Sequence, residues 1–393
     1  MSKSEQLTFY EFFAGGGMAH AGLGDRWRCT FANDIDPMKA NTYRANWGGD
    51  WLVCEDVAKL RLPDLPGTAD LTWASFPCQD LSLAGDYRGL GTAQSAVMTR
   101  SGTFWPFWKL MRGLVEDGRA PRLIVLENVY GALTSHGGED FAAIGSAFSA
   151  AGYRFGAVVI NASLFVPQSR PRVFFIAARS GEGIPPSLVV DGPQSRWHPA
   201  ALIAAHNGLT AAARKKWVWW SIPTPKPRTA VFADLVEEDP TGVTWHTPED
   251  TAYLLSLMSP VNVAKVIEAK KLKKRVAGGV YRRTRPDEDG VKRQRAEVRF
   301  DDIAGCLRTP AGGSSRQTIL VVEGNKVRSR LLSPREAIRL MGLDDSYIIP
   351  ARYNDAYHVA GDGVCVPVVR HIAATLLEPI LDANRIAPRM IAA

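Results

Sequence analysis

Apolar residues in the first half of the chain fall into short runs separated by helix-length segments. LTFYEFFA ends at Gly15-Gly16-Gly17, RCTFANDI at Asp34 and Asp36, and WLVCEDV at Asp56. DLTWASFP ends at Pro77-Cys78 and RLIVLENV at Glu127-Asn128, and FGAVVINASLF and RVFFIAARS follow. Runs spaced in this way predict βαβ units and an α/β fold with a mostly parallel sheet. Polar or reactive residues terminate five of the runs. Open α/β sheets bind ligands outside the carboxyl ends of their strands, so these residues are expected to converge on one crevice.

After about residue 180 the texture changes. GEGIPPSLVVDGPQSRWHP reads as a Pro/Gly-rich linker. Residues 190–325 mix Trp217, Trp219 and Trp220 with prolines and a basic stretch, which predicts a second, smaller and less regular domain. The predicted division is 1–185 with 326–393 as one domain and 186–325 as the other. LLSPREAIRLMGL reads as a capped helix: Ser333 suits the N-cap, Pro334 the first helical position, and Glu336 completes a capping box. VCVPVVRHIAATLLEPILDA is apolar at helical spacing and is expected to pack back onto the sheet.

A chain of 393 residues can bury a sizeable core. No apolar run is read as approaching the ~20 residues of a membrane span. The N-terminus lacks separate charged and apolar signal regions, so a cytoplasmic protein is expected. Five scattered cysteines form no CxxC pair, which leaves no zinc signature and argues against a disulfide framework. The net charge of +7 is concentrated. Lys265 to Arg299 holds thirteen basic residues against five acids, a local +8, and the rest of the chain sums to −1. A polyanion docking on this segment is the functional reading; a solvated helix and loop is the plain one.

The glycine turn lets backbone approach a ligand closely, but a dinucleotide fingerprint fails because His20 stands at its third glycine position. Asp34 suits a ribose diol, since a carboxylate accepts two hydroxyl hydrogen bonds, and Asp56 could accept from an adenine amino group. Together these describe a nucleoside site without a phosphate cradle, which fits S-adenosylmethionine. Cys78, exposed by a prolyl turn at the ligand edge, would be a nucleophile if its thiol pKa were lowered; a buried, inert cysteine is the alternative. Glu127 is a candidate acid at the end of its run. Arg170 and Arg172, two residues apart on an extended segment, point to one side and could clamp a base oxygen or phosphate.

FFAGGG, ANDID, CEDV, FPCQDLS, LENV, QSRPRVFFIA, LLSPREAIRLMG and AGDGVCVPVV resemble, in order, the motifs of the DNA cytosine-5 methyltransferases of the bacterial modification type. The likeness runs from about residue 9 to about 375, interrupted where that family places its variable target-recognition region. It implies an S-adenosylmethionine-dependent, Rossmann-like catalytic domain over 1–185 and 326–393, with a target-recognition domain over 186–325. It implies that Cys78 adds to C6 of a flipped-out cytosine, that Glu127 bonds N3, and that Arg172 binds the base oxygen with Arg170 nearby. Phe13, Gly15, Gly17, Asp34, Asp56, Val57, Pro77 and Asp362 would line the cofactor site, and Asn128 would order the Glu127 loop. Gln79 and Ser82, on a glycine-rich loop expected to close over the base, would face DNA, as would Arg308, Thr309 and Arg316 in CLRTPAGGSSRQ.

The chain departs from the family at Asp362, where many relatives have Asn, and altered cofactor affinity is the expected result. LMGL replaces the more usual Gln-Gly-Phe, with only local repacking expected. The partner implied is double-stranded DNA, bound by a monomer, with room for a cognate restriction endonuclease acting on the same site. Three other readings compete: a transfer RNA cytosine-5 methyltransferase, disfavoured by the large basic insert, a catalytically inactive DNA-binding relative, disfavoured by intact Cys78, Glu127 and Arg172, and an NAD-dependent oxidoreductase, weakened by the missing third glycine.

Overall fold

The computed structural model describes residues 6–77, 101–286, 290–308 and 316–391. They form two compact units. The first takes in 1–161, 171–225 and 364–393, and the second 162–170 and 226–363.

The first unit is built on a seven-stranded sheet. Its strands are β1 (Leu7–Phe12), β2 (Trp27–Asp34), β3 (Leu52–Cys54), β4 (Leu71–Ala74), β5 (Leu123–Val129), β6 (Tyr153–Asn161) and β7 (Pro171–Arg179). Their order is β3-β2-β1-β4-β5-β7-β6. β1 to β5 are parallel, as the alternating runs predict, and β7 runs antiparallel to both β5 and β6. Between them run α1 (Met18–Leu23), α2 (Pro37–Trp47), α3 (Phe104–Glu116) and α4 (Glu139–Ala150). In α3, Phe104, Phe107, Trp108, Met111 and Leu114 recur at three- and four-residue spacing and are buried. That apolar stripe packs in one cluster with Tyr10, Phe12, Phe31, Ile124 and Leu126 of the sheet.

The observed boundaries differ from those expected at 185 and 326. Residues 186–225 stay with the large sheet. Their short strands β8 (Val189–Val190) and β9 (Trp219–Trp220) pair with each other, and Val218 donates its N–H to the Phe155 carbonyl of β6 at 2.7 Å. Trp217 packs edge-on to Phe155, and Trp220 is fully buried with its indole N–H on the Ile176 carbonyl. Of the tryptophans expected in a recognition region, Trp220 is a core residue here and Trp217 is partly buried against the core. Large aromatic rings bury most favourably wherever an apolar sheet edge is available.

The C-terminal segment also joins this unit, with Ile372, Leu376, Leu377, Ile380 and Leu381 fully buried. Contrary to the expectation from its apolar runs, the stretch Tyr353–Arg385 has the length and composition to cross a membrane, yet 61% of its most apolar window is buried inside the protein.

The second unit carries a four-stranded antiparallel sheet, β11-β10-β12-β13. It is made of β10 (Arg275–Pro286), β11 (Lys292–Arg299), β12 (Thr318–Glu323) and β13 (Lys326–Leu331). β13 completes this sheet, which is why the boundary does not fall at 326. Helices Pro248–Ser256 and Pro260–Lys271 pack into its core through Leu254 and Val266, joined by Met258 of the link between them. The capping box is as expected: Ser333 accepts from the Glu336 N–H at 3.1 Å, and the Glu336 carboxylate accepts from the Ser333 N–H at 2.7 Å.

That carboxylate also meets the Arg330 guanidinium at 2.6 Å, with both side chains 0% exposed. Glu336→Ala leaves the Arg330 charge buried and uncompensated, so a loss of about 3–5 kcal/mol is expected in chemical denaturation. A loss below about 1 kcal/mol would be the size of an exposed pair and would mean that water reaches this one.

Candidate active site

The parallel strands end together on one edge, and the chain reverses its order of addition between β1 and β4. The crevice of an open α/β sheet lies at such a switch point. Phe13, just past β1, has φ +56. Gly15 has φ +56, and nothing lies within 4 Å of where a Cβ would project, so the turn offers bare backbone to a ligand. Gly17, with φ +78, is required by packing, because a Cβ there would overlap Trp47.

Asp34 closes β2, 7% exposed. Its carboxylate accepts from the Gly15 N–H at 2.8 Å and the Asp36 N–H at 2.9 Å. Burial pushes its pKa up, against the pull of Lys39 and those two donors. About four lone-pair sites on a carboxylate leave two for a vicinal diol. Asp56 caps the short turn containing buried Val57 through the Ala58 N–H at 2.9 Å.

Two neighbours escaped the sequence reading. Asn33 donates to the Val53 and Glu55 carbonyls at 3.1 and 2.8 Å, stitching the Asp34 and Asp56 segments together. Ile35, between two acids, is 64% exposed and offers an apolar surface beside Asp34. Its signal was the single apolar residue in the run N-D-I-D-P. This donor set fits an adenosyl group: a carboxylate for the ribose, a polar edge and an apolar surface for the base, and open backbone at Gly15.

Pro77 is the last described residue after β4, and Cys78, Gln79, Ser82 and Thr309 lie outside the described residues. The segment leading to Cys78 is nevertheless anchored. Asn128 donates to the Phe76 carbonyl at 3.2 Å and accepts from the Val129 N–H at 2.8 Å. Beside it Glu127, 6% exposed, meets Arg172 Nε at 3.0 Å. The pair forms because Val129 stands opposite Arg172 in the antiparallel β5–β7 register, which makes Glu127 and Arg172 diagonal neighbours.

Arg170, a candidate clamp with Arg172 by spacing and expected by the resemblance to lie on the loop or backbone, is bonded to backbone carbonyls. It is 2% exposed and belongs to the second unit. There it donates to the carbonyls of Leu307, Gly361 and Gly363 at 3.3, 2.9 and 2.7 Å. The last two bracket Asp362, which is exposed at the end of helix Tyr353–Asp362. Arg308 is exposed in the same unit. Arg316 lies over the Tyr353 ring and donates to Asn354 at 2.7 Å.

Beneath the glycine turn sits a buried polar group that sequence reasoning passed over, although a glutamate inside LTFYEFF was its signal. Glu11 accepts from the His20 N–H at 3.4 Å, and burial pushes its carboxyl pKa up to about 8. His20 stacks on Trp47 with ring centroids 4.7 Å apart, and its Nδ1 is 2.9 Å from the Tyr43 hydroxyl. Burial lowers its pKa to about 4. Trp47 in turn donates to the Gly16 carbonyl at 3.0 Å.

Native Glu11 holds its proton up to about pH 8, whereas an unfolded glutamate has released it far below. The native state binds the extra proton, so this group's contribution to stability is lost as pH rises through about 8. His20 acts oppositely, and only below the ordinary histidine range of about 6.5. Urea denaturation at about pH 7 and about pH 8.5 is therefore expected to show a larger loss for the parent than for Glu11→Gln. Equal losses would show that Glu11 is ionised at both values.

The family profile described as C-5 cytosine-specific DNA methylase matches residues 7–378. The chain is 26% identical to the Type II methyltransferase M.NlaX of Neisseria lactamica over 367 residues, 92% of this chain and 94% of that protein. It is 26% identical to the Type II methyltransferase M.HpaII of Haemophilus parainfluenzae, over 96% of this chain and 90% of that protein. Among solved structures, the Dnmt2 methyltransferase of S. pombe superposes with a TM-score of 0.57 at 16% identity, covering 95% of this chain and 99% of that one. A putative DNA modification methyltransferase encoded within an E. coli prophage superposes with a TM-score of 0.54 at 17% identity, over 96% and 100%. These two likenesses concern the fold, an S-adenosylmethionine-dependent methyltransferase sheet. With the family match spanning nearly the whole chain, the protein belongs to the C-5 cytosine-specific DNA methylases and is a DNA (cytosine-5-)-methyltransferase.

Proposed function

We propose that the enzyme methylates C5 of a flipped-out cytosine at a specific DNA site through a covalent bond to Cys78. The observation that carries this reading is the joint placement of Glu127, Arg172 and Asn128. An acid and a guanidinium stand together at the sheet edge, and the amide beside them holds the backbone two residues before Cys78.

The Cys78 thiolate adds to C6 of the ring, and electron density moves toward C5. Glu127 meets N3 and Arg172 the C2 oxygen, so charge developing in the ring falls on fixed partners that need no reorganisation. Phe13, Gly15, Gly17, Asp34, Asp56, Val57 and Pro77 would hold S-adenosylmethionine, whose sulfonium would supply the methyl group for C5 and leave as the neutral thioether S-adenosylhomocysteine. Loss of the C5 proton to a base then expels the Cys78 thiolate and restores the aromatic ring. Arg170 acts as a positioning residue, fixing the backbone on both sides of Asp362. The setting this implies is a cytoplasmic monomer acting on double-stranded DNA, beside a restriction endonuclease of the same site. The second unit, and Gln79, Ser82, Arg308, Thr309 and Arg316, would contact the duplex.

Incubation of plasmid DNA, and separately of bulk transfer RNA, with the cofactor is expected to yield 5-methyldeoxycytidine from DNA by nucleoside mass spectrometry. None should form with Cys78→Ala, and Glu127→Gln should lower the rate about 10²–10⁴-fold. Methylated cytidine from transfer RNA alone would overturn the reading.

Calorimetric titration of S-adenosylmethionine is expected to show at least about tenfold weaker binding to Asp34→Ala, since hydrogen bonds to charged groups contribute about 1.5–3 kcal/mol each. Asp362→Asn should shift the affinity from that of the parent, and an unchanged value would remove Asp362 from the cofactor site.

A further inference from the structure

α2 meets the cofactor edge at both of its ends. It begins at Asp36, whose side chain caps it through the Met38 N–H at 2.9 Å, directly after Asp34 and Ile35. It ends at Trp47, where Gly48 with φ +83 stops it. Tyr43 and Trp47, one turn apart on this helix, both lie against the glycine turn. The Trp47 indole N–H donates to the Gly16 carbonyl at 3.0 Å. Gly17 leaves room for that approach: a Cβ there would stand 2.2 Å from the indole nitrogen and 3.0 Å from the Tyr43 ring.

The bond acts on a peptide with little stiffness of its own. Gly15 and Gly17, on either side of Gly16, have φ +56 and +78. Glycine populates both signs of φ at little cost, so a peptide between glycines turns over readily unless its polar groups are held. The Asp34 carboxylate accepts from the Gly15 N–H at 2.8 Å, and the Ala14 carbonyl accepts from the Gly17 N–H at 2.8 Å. The Gly17 N–H and the Gly16 carbonyl belong to one peptide, so the indole holds its second end. The indole is fixed in turn. The His20 ring stacks on it with centroids 4.7 Å apart and planes 18° from parallel, and His20 Nδ1 lies 2.9 Å from the Tyr43 hydroxyl.

We propose that Trp47 is a positioning residue for S-adenosylmethionine. Its indole N–H keeps the peptide between Gly16 and Gly17 in the one orientation that the cofactor meets, and Gly17 serves the cofactor by admitting the indole. The proposal rests on the reading of this crevice as the adenosyl site. A turn that samples several peptide orientations binds only through its competent fraction, and its apparent affinity falls in proportion. Bound cofactor fixes the orientation, so the loss falls on cofactor affinity and not on turnover at saturation.

Replacing Trp47 by β-(3-benzothienyl)alanine puts sulfur where the indole N–H stands and keeps the shape of the ring. In calorimetry this variant is expected to bind S-adenosylmethionine and S-adenosylhomocysteine each about fivefold more weakly, the ratio that one ordinary hydrogen bond is worth. Its KM for the cofactor should rise by the same factor, with the KM for plasmid DNA and kcat at saturating substrates unchanged. Trp47→Phe, which also lacks the donor, should show the same split. The benzothienylalanine replacement at Trp51, whose indole N–H bonds the Tyr43 hydroxyl at 3.3 Å, should leave cofactor affinity parental.

Parental cofactor affinity in the benzothienylalanine variant at position 47 would overturn the assignment. So would a matching fall in kcat and DNA affinity, the mark of a general structural role. An equal loss from the Trp51 replacement would overturn it too, by assigning the effect to the surrounding network and not to the Gly16 bond. A parent that binds no S-adenosylmethionine would instead overturn the reading of the crevice beneath it.

Discussion

The antiparallel seating of β7 against β5 is the constraint on which the catalytic edge depends. Parallel strands deliver their carboxyl ends to one rim, but only a reversed strand delivers its beginning there. Arg172, the second residue of β7, therefore arrives beside Glu127, the fifth residue of β5, at 3.0 Å. Desolvating such a pair costs much of what its attraction returns, so its value lies less in stability than in orientation. Each side chain is held in one direction, as electrostatic preorganisation at the proposed base site would require.

The cofactor edge is held from below. Gly15 and Gly17 adopt backbone conformations that other residues resist, and the carbonyl of Gly16 between them is pinned by Trp47. Trp47 stacks on His20, whose backbone N–H is bonded by Glu11. A buried acid without a cationic partner is tolerable when it keeps its proton, and burial raises the Glu11 pKa accordingly. The turn that presents bare backbone thus rests on a network of aromatic rings and polar groups.

The second unit has its own polar keystone. Glu336 serves at once as the capping-box residue of its helix and as the counter-ion of Arg330 on β13. Arg170 and Gln168 are likewise spent on backbone carbonyls, Gln168 reaching Leu340 at 2.7 Å. These buried groups fix loops that sequence alone would leave free, among them the backbone on either side of Asp362.

By itself the sequence determined the parallel strands, the polar residues that end them, the capping box at Ser333 and the family. Each is written in local pattern: alternation of runs, a residue at a strand terminus, a three-residue spacing. Tertiary structure alone decided which distant groups meet. Local spacing set Arg170 beside Arg172 near the backbone, but which carbonyls Arg170 meets was decided by packing against residues more than 130 positions away. Trp220 read as part of a recognition region, and only the tertiary structure buries it, with its indole N–H on a strand carbonyl. Asn128 read as a loop-ordering residue, and its partner Phe76 became known only when β4 and β5 lay side by side. Hydrogen bonds and burial act through space, and a linear pattern records only the residue types available to make them.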